Sequence, residues 1–362
     1  MKRVCLYAYD KVNLGDDLFM RTIAARYTDT KFYLWSDGVN KQNFSDVDNL
    51  NVIDQQSRGF RALGKIRGSI PSRFRTWMES HCDAIVYIGG SIFMEYPHWE
   101  RYVAWWKGKA CQNQMFVLGA NWGPYRTPEY KDGMAETFGY MKDICFRDQY
   151  SKNQFADILN VRYAPDILLS LPMPRCEIRE KQLFVSLIDC GGDDHAELRQ
   201  YQETYLEHMS TLLGQYLEDG WQVVLSSFCR HEGDEAAVSE VLHRISGRGF
   251  GDKITVLAYD GTNSTEILQS ISESDYVLAT RFHGVILALA AGRPVLPVIY
   301  SDKTRNTLDS IGFEGRCLDL RTREVVSFED SKENWMNRVK IDRDSICADA
   351  EKHFSELDKV LT

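Results

Sequence analysis

The sequence has little proline and no long apolar run. Only nine of the 362 residues are proline, and no stretch approaches the ~18 uninterrupted apolar residues that a membrane-spanning helix needs. The basic start MKR leads into an apolar run that meets charge at Asp10, which is too short for a signal peptide. We therefore expect a folded protein of the cytoplasm, with no transmembrane segment.

Metal-binding and redox patterns are also missing. The nine cysteines include no CxxC pair, and the eight histidines show neither HExxH nor HxH spacing. We expect reduced thiols, no metal site and no cofactor. The formal net charge of -9 argues against general nucleic-acid binding, because a nucleic-acid partner requires a basic surface.

The composition is that of a folded protein with more than one domain. Hydrophobic residues make up 44% and charged residues 26% of the chain, and 362 residues exceed one ordinary core. Apolar runs alternate with helical stretches, which is typical of parallel βαβ units. Strands are predicted at 3–9, 32–35, 84–88, 115–119 and 143–147, and then at 184–188, 221–227, 254–259, 276–280 and 294–300.

This alternation of predicted strands and helices, which restarts in the second half of the chain, predicts an α/β protein of two Rossmann-like domains that face a cleft. Three prolines fall between residues 165 and 180, where we place the linker. The predicted domains are 1–172, on the acceptor side, and 173–362, which carries an anion site. An amphipathic helix over 344–360 is predicted to return to the first domain.

The segment Arg281-Phe282-His283 lies between a predicted strand, 276–280, and a predicted helix that begins at Gly284. Backbone N–H groups and the positive end of the helix dipole favour an anion there. Arg281 supplies a planar charge suited to phosphate or carboxylate, and His283 can exchange a proton near neutral pH. The alternative is that Arg281 pairs with a buried acid and His283 only caps the helix.

Two other cations are candidates for the same anion. Arg147 ends the fifth predicted strand, and Lys303 follows the strand that closes at Tyr300. Each has a structural alternative, because Arg147 could pair locally with Asp148, and Lys303 could be a solvated surface charge.

The segment Asn13 to Asp17 follows the first predicted strand. Gly15 permits close approach of the backbone to a ligand. The acids Asp16 and Asp17 could contact sugar hydroxyls, or could serve only as partners of the helix dipole.

Two further glycine-containing turns follow predicted strands. Gly89, Gly90 and Ser91 end the strand 84–88, and Asn121 and Trp122 lie in an aromatic loop after 115–119. The glycines could admit a ligand or only form a tight turn. Trp122 could stack on a sugar ring or pack in the core.

In chain order, these segments resemble the polysaccharide pyruvyltransferases, and the block 280–312 is the most specific part of the resemblance. The matching features are Asn13 to Asp17, Gly89-Gly90-Ser91, Gly119 to Pro124, Arg147-Asp148 with Ser151, Ala164-Pro165-Asp166, Arg281-Phe282-His283 with Gly292 and Pro294, and Tyr300 with Lys303.

The resemblance implies a GT-B-like fold and transfer of a pyruvyl group from phosphoenolpyruvate to two hydroxyls of a sugar, which gives a ketal and phosphate. It implies that Arg281 binds the donor, that Phe282 contributes backbone contact beside Gly284, and that His283 is the acid/base. Arg147 would be a second cation for the donor.

Two alternative functions remain open, and so does the nature of the acceptor. A GT-B glycosyltransferase that uses a nucleotide sugar would need a similar anion site, and a binding module would keep the fold without turnover. For the pyruvyltransferase, the acceptor is either a finished polysaccharide or a lipid-linked unit. The lipid-linked acceptor would bring the protein to the inner face of the membrane as a peripheral protein.

Overall fold

The computed structural model describes residues 1–61, 70–322 and 324–362. The chain forms two compact units. Unit 1 comprises Met1–Asp10, Asp16–Ile167 and Ala348–Thr362, and unit 2 comprises Lys11–Gly15 and Leu168–Cys347. The chain thus enters unit 2 after Ile167, whereas the sequence placed the boundary between residues 172 and 173. The short segment Lys11–Gly15 belongs to unit 2, although it was predicted as part of the first domain.

Unit 1 is built on a parallel sheet with helices between its strands. Among the described residues, seven strands lie in the order β3-β2-β1-β4-β5-β6-β7. The strands are β1 (Lys2–Tyr7), β2 (Thr30–Ser36), β3 (Leu50–Asp54), β4 (Ala84–Ile88), β5 (Met115–Ala120), β6 (Asp143–Phe146) and β7 (Val161–Tyr163). The helices are α1 (Leu14–Arg26), α2 (Ile70–Ser80), α3 (Trp99–Gln112), α4 (Pro128–Phe138) and α5 (Gln149–Asn153).

Unit 2 repeats this arrangement. Its six described strands lie in the order β10-β9-β8-β11-β12-β13, and all of their pairings are parallel. The strands are β8 (Arg179–Ser186), β9 (Gln222–Ser227), β10 (Ile254–Ala258), β11 (Ser274–Ala279), β12 (Val295–Ile299) and β13 (Leu318–Asp319). The helices are α6 (Gln202–Glu218), α7 (Asp234–Ile245), α8 (Ser264–Glu273), α9 (Phe282–Ala290), α10 (Asp302–Ser310), α11 (Phe328–Ser331) and α12 (Glu333–Met336).

The central strands were predictable because helices cover both faces of a parallel sheet and keep both faces apolar. All six residues of β11 are buried, as are all six of β5. The sequence missed β3, β7 and β13, which lie at sheet edges. They are short or interrupted by polar residues, as in LNVID of β3, so their apolar pattern is weak.

The C-terminal segment forms two helices, α13 (Arg343–Glu351) and α14 (Ser355–Leu361), with a 3-10 turn between them. His353 in that turn is fully buried, and its Nε2 lies 2.9 Å from the carbonyl oxygen of Pro165. Arg162 donates to the carbonyl of His353 (2.6 Å), and Arg26 donates to Asp358 through Nε and Nη2. These contacts lie within unit 1. The segment therefore packs against the N-terminal half of the chain.

Candidate functional site

The strand order of unit 2 creates a crevice at the carboxyl ends of β8 and β11. The chain builds β9 and β10 on one side of β8 and then crosses to β11 on the other side. The loops after β8 and β11 therefore leave in opposite directions, and ligands of open α/β sheets bind at such a point. Thr280 to Gly284 follow β11 directly. The segment that the sequence singled out thus lies where this fold places ligands.

The helix after β11 begins earlier than the sequence predicted. Arg281 is its N-cap, with extended backbone, and α9 runs from Phe282 rather than from Gly284. His283 is therefore the second residue of the helix, close to the positive end of its dipole. The Phe282 ring is buried and lies edge-on to the imidazole, with ring centroids 5.1 Å apart. His283 itself is partly exposed.

His283 packs against Gly15, which the sequence also predicted as a site residue. A Cβ atom on Gly15 would lie 1.7 Å from Nδ1 of the imidazole, so only glycine leaves room for this ring. Gly15 is the second residue of α1 and belongs to unit 2 with residues 11–14; there Leu14 donates its N–H to the carbonyl of Phe228 (3.1 Å). The Asn13 side chain accepts from the N–H of Gly15 (3.1 Å). Gly15 therefore forms one wall of the His283 environment, and Asn13 holds the backbone of Gly15 in place.

Arg281 is held by carboxylates of the protein itself. Its Nε donates to Asp234 Oδ2 (2.7 Å), Nη2 donates to Asp234 Oδ1, and Nη1 donates to Glu232 Oε2. Asp234 also accepts from the N–H groups of Phe228 (3.0 Å) and Cys229 (2.9 Å). The pairing of Arg281 with buried acid, which the sequence left as an alternative, is the arrangement found. The expected open cation is absent from this geometry.

The charge of Arg281 is strongly stabilised. Burial works against the charged form, but Asp234 and Glu232 outweigh it and raise the pKa of Arg281 well above its ordinary value. Asp234 is fully buried, whereas the Glu232 side chain keeps 15% of its surface exposed. Arg281 thus carries a permanent positive charge whose more accessible partner is Glu232.

Gly284 permits close packing of α9 against β8. Its N–H donates to the carbonyl of Arg281 (2.9 Å), which uses that donor inside the first helical turn. A Cβ atom there would lie 2.4 Å from Oγ of Ser186 at the end of β8. α9 must therefore approach β8 closely at Gly284, and contact of Gly284 with the donor stays a prediction.

Lys303 lies in the first turn of α10 and is partly exposed. Its Nζ is 5.2 Å from the centroid of the Tyr300 ring, which is itself buried. This cation–π contact holds the ammonium beside the end of β12. Its role toward a donor stays a prediction.

A family comparison gives these residues a context. The family model for polysaccharide pyruvyl transferase matches residues 13–302. The chain belongs to this family.

The match of this pyruvyl transferase family begins at Asn13 and takes in Arg147 and the segment Arg281–Gly284. It stops one residue before Lys303. Gly15 and the helix that carries His283 therefore both lie within the residues that the family model matches.

Solved structures of low sequence identity share the fold of this pyruvyl transferase family member. The UDP-GlcNAc 2-epimerase from Neisseria meningitidis, bound to UDP-GlcNAc, has a TM-score of 0.62 and 11% identity, covering 99% of this chain and 100% of that chain. Anabaena HepE in complex with UDP and glucose has a TM-score of 0.55 and 13% identity, covering 100% and 99%. These likenesses establish the GT-B-like fold.

In unit 1, Arg147 forms a second buried ion pair. Its Nη1 lies 3.1 Å from Asp166 Oδ2, and Nη2 donates to Asn121 Oδ1 (2.9 Å). A Cβ on Gly90 would lie 2.3 Å from Nη2, so Gly90 makes room for the guanidinium. Pairing with Asp148, the structural alternative drawn from the sequence, is not what the structure shows. Asp148 instead caps α5.

The remaining predicted acceptor residues divide into exposed and structural groups. Asp17 is fully buried and accepts from Asn43 Nδ2 (2.9 Å), which ties it to the fold. Asp16 is partly exposed, and its Oδ1 would lie 3.7 Å from a Cβ on Gly89. Ser91 Oγ donates to Asn121 Oδ1 (3.3 Å). Of the two acids, Asp16 is the one that a ligand could reach.

Trp122 is a core residue. Its ring is 4% exposed and stacks on Tyr130 at 5.2 Å, and its backbone N–H donates to Ser151 Oγ (2.7 Å). The core-packing alternative is therefore the one found, and stacking of Trp122 on a sugar is excluded in this geometry.

The sequence analysis missed Glu232, Asp234 and Ser186. All three follow or end strands β8 and β9, at the same sheet edge as Arg281. The signal was present in HEGDE (231–235), an acidic run just after the predicted strand 221–227. Its meaning depends on strand order, because β9 and β11 lie on either side of β8, so that the loops after their carboxyl ends come close to each other.

Within residues 1–61, 70–322 and 324–362, no helix is both long and apolar enough to cross a membrane. In the same ranges, no group of three or more His, Cys, Asp or Glu residues is arranged to hold a metal ion.

Proposed function

We propose that this protein transfers the pyruvyl group of phosphoenolpyruvate to two hydroxyls of one sugar, forming a pyruvate ketal and releasing phosphate. The observation that carries the proposal is the position of His283. It lies in the first turn of α9, at the crevice of unit 2, and is seated against Gly15. Membership of the polysaccharide pyruvyl transferase family supports the pyruvyl group as the one transferred.

The chemistry requires one proton donor and stabilisation of an anion. Protonation of the methylene carbon makes the central carbon of phosphoenolpyruvate electrophilic, and one sugar hydroxyl adds to it. The C–O bond to phosphate then breaks, and the second hydroxyl closes the ketal. Of the two hydroxyl protons, one is balanced by the new methyl group and the other leaves with phosphate.

His283 is assigned as the group that delivers the first proton and recovers one from a hydroxyl. An acid/base with a pKa near the working pH suits both transfers and typically contributes about 10²–10⁴-fold. The positive end of α9 stabilises negative charge that develops beside the imidazole. The acceptor is a sugar of a polysaccharide or of its lipid-linked precursor.

The test compares His283→Ala with His243→Ala. His243 is exposed on α7 of the same unit, so its loss removes an imidazole without touching the crevice. We expect His283→Ala to keep its thermal unfolding temperature and to lose at least about 10²-fold in phosphate release from phosphoenolpyruvate. Turnover near that of His243→Ala would refute the assignment.

The second candidate is a glycosyltransferase that uses a nucleotide sugar. It is favoured by the fold shared with HepE, which was solved in complex with UDP and glucose. Thermal unfolding in the presence of phosphoenolpyruvate, UDP or CDP distinguishes the two candidate functions. A bound ligand at 100 times its dissociation constant adds about 2.7 kcal/mol to the free energy of unfolding, so the true ligand raises the unfolding temperature. A shift with a nucleotide and none with phosphoenolpyruvate would select the glycosyltransferase.

A further inference from the structure

The two acids that hold Arg281 differ in burial and in the element that carries them. Asp234 is fully buried, begins α7 and accepts from two backbone N–H groups as well as from Arg281. Glu232 contacts the guanidinium at Nη1 and is the more exposed of the two acids. Removal of Asp234 would leave a buried charge without its main partner, whereas Glu232 is partly exposed.

The backbone around Glu232 also differs from that around Asp234. Glu232 lies in the turn between β9 and α7, and the next residue, Gly233, has φ of +83°. That left-handed conformation favours glycine, and it separates the turn from the helix. The carboxylate of Glu232 is therefore displayed from a turn, while that of Asp234 is anchored in a helix.

The summed charge of Arg281, Glu232 and Asp234 opposes binding of an anionic donor in the unliganded protein. One guanidinium faces two carboxylates, so the three side chains sum to one negative charge when both acids are ionised. Phosphoenolpyruvate carries a carboxylate and a phosphate, and a like charge at its binding site weakens binding. Of the three side chains, Glu232 is the most exposed, with 15% of its side-chain surface accessible.

We propose that Glu232 is a displaceable carboxylate, which occupies the Nη1 edge of Arg281 in the unliganded protein and gives way to the carboxylate of the donor. The inference rests on the proposed function. A carboxylate already fits this edge, and the donor's carboxylate has the same planar geometry, so Arg281 keeps a charge-assisted hydrogen bond when the two exchange. Glu232 is then a residue that sets donor affinity, while Asp234 keeps the guanidinium oriented.

The experiment measures dissociation constants by calorimetry at fixed ionic strength, with phosphoenolpyruvate, pyruvate and inorganic phosphate as separate probes. Glu232→Gln removes the charge and keeps an acceptor for Arg281. Glu235→Gln is the matched control, because Glu235 pairs with Arg230 in the first turn of α7 and so removes one acidic charge nearby. Glu232→Asp keeps the charge and tests for a purely steric effect.

We expect Glu232→Gln to bind phosphoenolpyruvate about tenfold more tightly than the wild type, since a competing charge is gone. Pyruvate, which offers only a carboxylate, should gain similarly, and inorganic phosphate should gain less. Glu235→Gln and Glu232→Asp should bind like the wild type. A merely structural role for Glu232 predicts weaker binding, or a lower unfolding temperature, and never a gain.

Binding to the wild type tests the proposed function, and binding to the Glu232 variants tests the displacement of Glu232. If the wild type binds phosphoenolpyruvate and Glu232→Gln binds it equally or more weakly, the displacement is refuted and the proposed function stands. An equal gain in Glu235→Gln would refute it as well, because the effect would then be general electrostatics. A larger gain for phosphate than for pyruvate would refute the carboxylate as the displacing group. If the wild type does not bind phosphoenolpyruvate, both proposals fail.

Discussion

Substitution of Gly15 by alanine tests the seating of His283 directly. The added Cβ would lie 1.7 Å from the imidazole Nδ1, whereas ordinary contact begins at 3.4 Å. The ring must therefore move by about 1.7 Å, the difference between those two distances, or the first turn of α1 must shift. Forced repacking of this kind costs about 1–3 kcal/mol.

The effect on turnover should exceed the effect on stability. A displacement of about 1 Å in a group that transfers a proton can cost about 10²-fold in rate. We therefore expect Gly15→Ala to lose at least that factor in phosphate release while the protein stays folded. The assay pairs phosphate release, followed continuously, with thermal and urea unfolding of the same preparation.

Gly108→Ala is the matched control for this prediction. Gly108 lies within α3, and a Cβ there meets nothing within 4 Å. Alanine should stabilise that helix by about 0.5–1 kcal/mol and leave turnover unchanged. If Gly15→Ala matches Gly108→Ala in both turnover and stability, the imidazole does not occupy the space in front of Gly15, and the geometry assigned to His283 is wrong.

Three further predictions concern buried charge. Gly90→Ala places a Cβ 2.3 Å from Arg147 Nη2 and should destabilise unit 1 by about 1–3 kcal/mol in urea unfolding; an unchanged midpoint would contradict the packing. Asp234→Ala leaves Arg281 buried without its bidentate partner and should lower the free energy of unfolding by about 3–5 kcal/mol. A decrease below about 1 kcal/mol, the usual contribution of an exposed ion pair, would contradict the structural role of Asp234. Burial lowers the pKa of His353 from 6.5 to about 3, so the unfolded chain takes up a proton between those values that the folded chain does not. Stability should fall by about 2 kcal/mol from pH 7 to pH 5 in the wild type relative to His353→Gln; parallel pH profiles would contradict it.

The fold class could be predicted because its signal is local. Strands such as β5 and β11 are continuous apolar runs, since helices cover both faces of a parallel sheet. The start of α9 was placed two residues late, at Gly284, because Arg281 supplies no side-chain capping bond that the sequence could signal. Three of the four edge strands, β3, β7 and β13, were missed because they are short or contain polar residues, whereas the edge strand β10 was predicted at 254–259.

The glycines illustrate a partial success. Gly15 and Gly90 were selected because glycine permits close approach, and close approach is what the structure shows. The approaching groups, however, are the His283 imidazole and the Arg147 guanidinium rather than a ligand. A sequence reveals that space is needed at a position, but the identity of the occupant depends on residues far away in the chain.

The sequence by itself determined the α/β architecture, the family and the segment Arg281–His283, since each depends on residues that are neighbours in the chain. Only the tertiary structure decided how Arg281 is held. Its partners Glu232 and Asp234 follow β9. The strand order β9-β8-β11 places the carboxyl end of β9 close enough to that of β11 for both acids to reach Arg281. Whether an arginine is open or paired is set by the groups that share its burial, and strand order, which no local pattern encodes, determines which groups those are.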